Sequence, residues 1–214
     1  MSAPSLHQEV LLDDWFVALR EIERGSPAAF FDRDGTLIRN VPYLANSDEV
    51  CLERGAVEAL SALRRSGFAI IVITNQSGIA RGLVTPAQYA SVNQRMIDLL
   101  GPDLVDAIIA CPFHPEGVAS WKVPDHPWRK PATGMIAAAA ARFGIDVARS
   151  VLLGDSLIDI EAGRRAGIGH LIHLGTGHGQ RDRAAVENLS RANPGTRINC
   201  LASLELLEVE ELAR

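Results

Sequence analysis

Two aspartates, Asp32 and Asp34, stand two residues apart in the segment AAFFDRDGTL, where an apolar stretch meets a turn. Side chains at positions i and i+2 of an extended chain point to the same side, so both carboxylates can face one space. Carboxylates this close repel each other unless a cation or a proton relieves the charge. Gly35 lets the chain turn away, and Thr36 can tie the turn down. The arrangement suits a magnesium-assisted nucleophile with a neighbouring acid/base; a plain Asx-rich turn is the alternative for an isolated Asp-x-Asp.

Three further polar segments stand after predicted strands or before a predicted helix. The segment 74–82, TNQSGIARG, offers a hydroxyl, backbone amides and an arginine to a phosphoryl group. Lys130 can place a point charge on a phosphate, and Arg129 beside it can grip a second anion. Asp155 can complete a magnesium site, with Asp159 behind it as an orienting group. Taken singly, segment 74–82 is more typical of a polar loop and the pair Arg129–Lys130 of a solvated surface patch. Asp155 and Asp159 are equally typical of helix N-capping.

Apolar runs and helical repeats alternate along the chain and predict the elements that carry these residues. Strands are predicted at 28–32, 68–74, 104–111, 149–155, 170–174 and 196–201, and helices at 55–66, 86–100, 132–143, 160–167 and 203–213. The alternation predicts an α/β fold, a three-layer Rossmann-like parallel sheet with helices on both faces. Ligands bind such sheets beyond the carboxyl ends of the strands, so polar residues at those ends are expected to converge. They are Asp34, Thr74, Cys111 and Asp155.

The first 27 residues are interpreted as an N-terminal extension, with the main domain at 28–214. Apolar residues recur at helical spacing and predict an amphipathic helix over 5–24, closed by Gly25. They are Leu12, Trp15, Phe16, Leu19 and Ile22. The apolar face of this helix would pack on the parent domain or form a dimer contact.

Composition narrows the classes of partner. The chain has 214 residues and a net charge of −5, without a lysine- or arginine-rich run, which argues against a nucleic-acid partner. Its three scattered cysteines argue against a disulfide framework and for a reducing compartment. Neither a membrane span nor a secretory signal is recognisable, so we expect a cytoplasmic protein without a membrane partner, either a monomer or a homodimer. A small phosphorylated substrate remains compatible with the acidic total.

The motifs DRDGT, TNQSGIARG, CP-x-HP, RKP and GDSLID follow one another between residue 28 and about residue 175. In this order they resemble the haloacid dehalogenase superfamily of phosphatases. Within it they are similar to the D-glycero-D-manno-heptose 1,7-bisphosphate phosphatases, and histidinol-phosphate phosphatases share most of them. The resemblance implies a magnesium-dependent phosphomonoesterase without a large cap domain, which removes the C7 phosphate of a sugar bisphosphate. Histidinol phosphate or another small phosphomonoester is the alternative substrate, and a non-catalytic phosphoacceptor module is a remoter one.

The resemblance also implies a role for each motif residue. Asp32 would be the nucleophile that becomes an aspartyl phosphate, and Asp34 the acid/base for the leaving group and for water. Thr74 and Lys130 would balance charge on the transferring group. The implied substrate contacts are Arg33, Asn40, Tyr43, Asn75, Gln76, Ser77 and Arg129.

The implied magnesium site consists of oxygen ligands, as this cation prefers. The carboxylates of Asp32 and Asp155 and the backbone carbonyl of Asp34 would hold the ion. Asp159 would stand behind them in a second layer.

The loop before RKP departs from the family pattern, in which a Cys-x-His pair and a Cys-x-Cys pair typically hold structural zinc. Cys111 matches the first ligand, but Phe113 stands at the histidine position, and His126 and Trp128 replace the remaining cysteines. Two ligands cannot build a closed tetrahedral site, so structural zinc is not expected unless His114 is recruited. We expect instead that Phe113 and Trp128 pack together and hold the loop by apolar burial.

Two other features concern the neighbourhood of the motifs. Ser156 stands where these phosphatases often have a lysine, which weakens the case for any particular substrate. His170, His173 and His178 lie close together in sequence, and positions at a strand and in a loop explain them without a metal.

Overall fold

The computed structural model of the protein describes residues 15–101 and 103–212. Its centre is a seven-stranded sheet in the order β1-β4-β3-β2-β5-β6-β7. The strands are β1 (Phe16–Ala18), β2 (Ala28–Phe31), β3 (Ala69–Asn75), β4 (Ala107–Cys111), β5 (Val151–Gly154), β6 (His170–Leu174) and β7 (Arg197–Leu201). Every neighbouring pair is parallel except β1 with β4. The predicted α/β sheet is confirmed, and in the described residues no second sheet or cap domain interrupts it.

Helices cover both faces of this sheet. They are α1 (Ala56–Arg65), α2 (Ser77–Ala80), α3 (Pro86–Leu100), α4 (Gly134–Phe143), α5 (Leu157–Ala166) and α6 (Gly179–Ala192). Alternate strand residues enter different cores: Phe30 packs with buried residues of α4, α5 and α6, whereas Phe31 packs with buried residues of α1 and α3. The central strands are therefore apolar on both faces, as their uninterrupted apolar runs predict. In the described parts of the chain, no helix has the length and apolar character of a membrane span.

Several element bounds match the sequence-based prediction. The helix at 86–100 and the strand at 170–174 are found with the predicted bounds. At the start of α3, the Thr85 side chain accepts a hydrogen bond from Gln88 N, and the Gln88 side chain accepts one from Thr85 N, which is the expected capping box. The other strands and helices predicted between residues 28 and 201 are found with shifts of a few residues at their ends.

From Phe16 onward, the N-terminal helix predicted over 5–24 is wrong. Phe16–Ala18 forms β1, antiparallel to β4, while residues 1–14 lie outside the described part. Trp15 and Phe16 do bury their rings on the domain, 5.1 Å from Tyr89 and 5.8 Å from Phe143 between centroids. A strand achieves this packing and also satisfies the open edge of β4, which a helix would leave unpaired. The division of the chain at residue 27 stays a prediction.

Near the C-terminus one predicted helix is not found and one observed helix was not predicted. The helix predicted at 203–213 is replaced by two short 3-10 segments, Leu204–Leu206 and Val209–Glu211. Each segment inserts one buried side chain, Leu204 and Val209, into the core beside α1, which a continuous helix would not require. The 14-residue helix α6 was not predicted, because the segment is mostly polar and Gly179 and Val186 are its only buried residues.

Candidate active site

Three adjacent strands bring the predicted catalytic residues to one edge of the sheet. The sheet order places β3, β2 and β5 side by side and parallel, and Thr74, Asp32 and Asp155 stand at or just after their carboxyl ends. Lys130 reaches the same edge from the loop before α4. These side chains line a cavity of about 360 Å³. The expected convergence is therefore found for Thr74, Asp32, Asp34 and Asp155, but Cys111 does not line the cavity and lies in the core.

A tight turn after β2 brings the backbone close to Asp155. Gly35 has φ of +86°, and a side-chain carbon at this position would collide with the Asp155 carboxylate. Gly177, in the loop after β6, approaches the same carboxylate from the other side. The two loops are joined because Thr176 Oγ1 donates a hydrogen bond of 2.6 Å to Gly35 O. His178 N donates a hydrogen bond of 2.6 Å to Asp155 Oδ2, so backbone groups fix that carboxylate.

Three carboxylates form a compact cluster in the cavity. Asp32, Asp155 and Asp159 each place an oxygen within 4.8 Å of the others, and all three are at most 8% exposed. Among the described residues, they form the only group of three or more side chains arranged to hold a metal ion. Burial raises the pKa of Asp155 to about 7 and the pKa of Asp32 well above its usual range. Raised pKa values show that the three carboxylates are costly to ionise together, a cost that a divalent cation would relieve, and the all-oxygen donors suit magnesium.

Lys130 is buried in contact with two of these carboxylates. Its Nζ lies 2.6 Å from Asp32 Oδ1 and 2.6 Å from Asp159 Oδ1, and donates to Ile73 O at 2.9 Å. Burial alone would lower the pKa of Lys130, but the charges of Asp159 and Asp32 raise it above its ordinary value. Asn75 holds the backbone of Lys130 on both sides, accepting from Lys130 N at 3.0 Å and donating to Lys130 O at 3.1 Å. The ammonium group is therefore positioned and charged.

Asp34 is held by two neighbours that the sequence suggested as substrate contacts. Arg33 donates to it from Nε at 3.1 Å and from Nη2 at 3.0 Å. Gln76 Nε2 donates to Asp34 Oδ2 at 2.8 Å and to Thr74 Oγ1 at 2.9 Å. Arg33 is only 1% exposed, so its guanidinium is committed to protein partners.

The remaining predicted substrate contacts divide into two groups. Asn40, Tyr43 and Ser77 line the cavity, and Asn40 Nδ2 lies 3.1 Å from Nε2 of His178. Arg129 does not line the cavity, because its half-buried guanidinium donates to Phe113 O at 3.3 Å.

Two polar side chains of the cavity were not predicted to take part in the site. His178 lines the cavity at its exposed end, and Ser156 donates a 2.6 Å hydrogen bond to Asp159 Oδ2. For both residues, position in the sequence was the only signal. Ser156 directly follows Asp155, and His178 lies in the glycine-rich segment after β6. Asp159 lies in the carboxylate cluster itself, and its expected second-layer role stays a prediction.

The loop with altered zinc positions packs differently from the expectation. Phe113 and Trp128 are both buried, but each contacts His126: Phe113 stacks on it with 4.1 Å between ring centroids, and Trp128 meets it edge-on at 6.3 Å. His126 Nδ1 accepts a hydrogen bond of 3.2 Å from Trp128 N, and lies 3.8 Å from Cys111 Sγ. Burial lowers the pKa of His126 and raises that of the Cys111 thiol to about 11. The loop is held by apolar burial around the imidazole, and the absence of zinc stays a prediction.

Comparison with known proteins gives a consistent family. Residues 127–197 match the HAD-hydrolase-like family model. The chain is 42% identical over 144 residues to D-glycero-beta-D-manno-heptose-1,7-bisphosphate 7-phosphatase of Mesorhizobium japonicum, with 66% of each chain covered. It is 39% identical over 153 residues to the corresponding alpha-heptose enzyme of Photorhabdus laumondii, with 70% of this chain and 83% of the relative covered.

A solved structure extends the comparison to the fold. The crystal structure of D,D-heptose 1,7-bisphosphate phosphatase from B. bronchiseptica, complexed with magnesium and phosphate, superposes with a TM-score of 0.67 and 29% identity. The superposition covers 83% of this chain and 93% of that one. The magnesium bound by that enzyme agrees with the all-oxygen carboxylate cluster of this chain. The chain therefore belongs to the haloacid dehalogenase-like phosphatases, which are phosphoric monoester hydrolases, and it resembles their heptose 1,7-bisphosphate phosphatase branch.

Proposed function

We propose that this protein hydrolyses the C7 phosphate ester of D-glycero-D-manno-heptose 1,7-bisphosphate through an aspartyl-phosphate intermediate on Asp32. The observation that carries the proposal is the buried group in which Lys130 Nζ and the carboxylates of Asp155 and Asp159 surround Asp32. The heptose-bisphosphate relatives support the substrate, and their names include both the beta and the alpha anomer. The anomer is therefore a question for the substrate assay.

The first half of the reaction transfers the phosphoryl group to the protein. A carboxylate oxygen of Asp32 attacks phosphorus as the bond from phosphorus to the C7 oxygen breaks. Asp34 gives its proton to the departing oxygen, which leaves as the sugar hydroxyl. The Thr74 hydroxyl and the Lys130 ammonium lie at the edge where charge builds on the transferring oxygens, and this electrostatic stabilisation supplies much of the rate.

The second half releases phosphate. Asp34 takes a proton from a water molecule, whose oxygen attacks the phosphorus of the aspartyl phosphate. The bond from phosphorus to Asp32 breaks, inorganic phosphate leaves and the Asp32 carboxylate is restored. Asp34 regains its proton in this step and is ready for the next turnover.

The carboxylates of Asp32 and Asp155 and the backbone carbonyl of Asp34 would hold magnesium. Asp159 touches the same space, but its Oδ1 is paired with Lys130 and its Oδ2 with Ser156, so we assign it to orienting the lysine. When bound, the ion neutralises charge on the cluster and on the phosphoryl oxygens. Its removal is expected to leave these carboxylates partly protonated, because burial raises the pKa of Asp32 and Asp155.

The test of this function is a comparison of kcat/KM for both anomers of heptose 1,7-bisphosphate and for histidinol phosphate, with magnesium present. We expect one heptose anomer to be preferred, with loss of the C7 phosphate alone, detected by phosphorus NMR. The Asp32→Asn variant should release no phosphate while it keeps the fold, as judged by circular dichroism. A preference for histidinol phosphate, loss of the C1 phosphate, or turnover by Asp32→Asn would each contradict the proposal.

A further inference from the structure

Arg33 is a buried cation whose strongest partner is the adjacent acid. Its Nε and Nη2 form two parallel hydrogen bonds to Asp34, and the side chain is 2% exposed. This fork-to-fork geometry fixes the plane of a carboxylate as well as its position, unlike a single hydrogen bond. Burial alone would lower the pKa of Arg33, but the charge of Asp34 raises it, so the guanidinium stays charged.

The guanidinium is in turn anchored to helix α3. Its Nη1 donates a 2.8 Å hydrogen bond to Asn93 Oδ1, and Asn93 is itself buried. Tyr89, one turn earlier on the same helix, presents its ring 5.4 Å from the Arg33 guanidinium carbon. A cation over an aromatic face is further stabilised, so helix α3 contacts Arg33 at two points. We call Arg33 and Asn93 together the α3 brace.

We propose that Arg33 is a positioning residue that acts through Asp34, and that Asn93 fixes it for this task. The inference rests on the acid/base role proposed for Asp34. Without the α3 brace, the Asp34 carboxylate would keep only the hydrogen bond from Gln76 Nε2 and could rotate away from the leaving oxygen. Small misplacements of a reacting group lower rates steeply, because proton transfer needs hydrogen-bond distance in the transition state.

A substrate contact is the other role available to Arg33. The structure disfavours it, because three guanidinium nitrogens already donate to Asp34 and Asn93 and the side chain has almost no accessible surface. An arginine that grips a substrate phosphate would need these donors free. The two roles differ in what they predict for leaving groups, since only a proton donor is sensitive to leaving-group basicity.

The experiment uses aryl phosphates from p-nitrophenyl phosphate to phenyl phosphate, with the full chain and magnesium. The value of kcat/KM reports formation of the aspartyl phosphate and excludes its later hydrolysis. A good leaving group needs no proton, whereas phenolate does. In Arg33→Met and Asn93→Leu we expect kcat/KM to fall less than about threefold for p-nitrophenyl phosphate and roughly tenfold or more for phenyl phosphate, within the range of acid catalysis.

Two reference variants make the outcome specific. Gln94→Leu changes the exposed neighbour of Asn93 on the same helix and should keep the wild-type dependence on leaving group. In Asp34→Asn, kcat/KM should depend most steeply on the basicity of the leaving group. If Arg33→Met does not fold, Asn93→Leu carries the test, since it removes the anchor and leaves Arg33 itself in place.

Equal losses for both substrates in the brace variants, or no loss for either, would overturn the positioning role. A wild-type dependence in Asp34→Asn would overturn the acid role and the brace together. A steep dependence in Asp34→Asn with a wild-type dependence in the brace variants would overturn the brace alone. The series contains no sugar, so its result does not depend on the heptose assignment.

Discussion

The ammonium of Lys130 lies 2.6 Å from Asp32 Oδ1, although 98 residues separate them in the chain. The same ammonium lies 2.6 Å from Asp159 Oδ1, so one cation is paired with two buried carboxylates. This contact joins the loop before α4 to the carboxyl end of β2. It also leaves the proposed nucleophile in a site where negative charge on a phosphoryl group meets a fixed cation.

Replacing Lys130 by alanine should lower kcat far more than it raises KM, because its charge matters most as the phosphoryl group transfers. A loss of roughly 100-fold in kcat is expected by analogy with removal of one transition-state donor. In metal-free protein the variant should also lose about 3 kcal/mol or more of stability, because two buried carboxylates lose their partner. Steady-state kinetics and urea unfolding measure these effects. The control is Lys122→Ala, which removes the only other lysine and should leave both quantities unchanged. In Lys130→Ala, a change confined to KM would refute the role of Lys130 in phosphoryl transfer.

The stability of metal-free protein should fall as pH rises from about 4 towards 7. Burial raises the pKa of Asp155 to about 7 and that of Asp32 well above its ordinary range, so the folded state binds more protons than the unfolded state in this window. Stability that depends on those protons is complete below the unfolded pKa and disappears as pH passes the folded pKa. Bound magnesium replaces the protons, so it should raise Tm more at pH 8 than at pH 5.

Thermal melts with and without magnesium at the two pH values test this. Asp155→Asn should abolish most of the magnesium-induced rise in Tm at pH 8. A rise that is equal at both pH values, or larger at pH 5, would contradict the account.

Replacing Gly177 by alanine should weaken the magnesium site. The added carbon would lie 2.7 Å from Gly35 Cα and would collide with the Asp155 carboxylate, which His178 N holds in place. Disturbing the groups that contact and orient a metal ligand typically lowers metal affinity by about tenfold or more. We expect the magnesium concentration for half-maximal activity to rise by that factor. Gly195→Ala, where no atom lies within 4 Å of the added carbon, should leave it unchanged; equal behaviour of the two variants would disprove the packing argument.

The aromatic packing around His126 should carry the stability of the 111–130 loop. Trp128→Ala removes a buried ring and is expected to cost about 3–5 kcal/mol in the free energy of unfolding. Val118→Ala, at an exposed position of the same loop, should change it by less than about 0.5 kcal/mol. Zinc chelators should not alter the Tm of the wild-type protein. One equivalent of tightly bound zinc in elemental analysis would show that metal holds the loop.

Much of the fold and the catalytic set follow from local sequence, for a physical reason. Short apolar runs between turn residues are typical of strands covered on both faces, so the positions of Asp32, Thr74 and Asp155 at strand ends could be predicted. The partner of a polar side chain depends on distant packing and cannot be read from spacing. The sequence therefore predicts Arg33 and Asn75 only as substrate contacts, and it does not indicate that they hold Asp34 and Lys130.

Errors in the elements have the same origin. The pattern around Trp15 and Phe16 has helical spacing, yet the open edge of β4 pairs with this segment as a strand. Helix α6 has too few buried apolar residues to be recognised from the sequence. In each case a tertiary contact overrides or replaces the local signal.

Rapid mixing of the Asp34→Asn variant with p-nitrophenyl phosphate and magnesium tests the central claim most directly. This leaving group needs no proton, so Asp32 should still be phosphorylated, but hydrolysis should be slow because Asp34 no longer activates water. The account predicts a burst of about one nitrophenolate per chain and, after acid quench and digestion, a phosphoryl group on the peptide that contains Asp32. A phosphoryl group on any other residue would contradict it. So would a burst that persists in the double variant that carries both Asp32→Asn and Asp34→Asn.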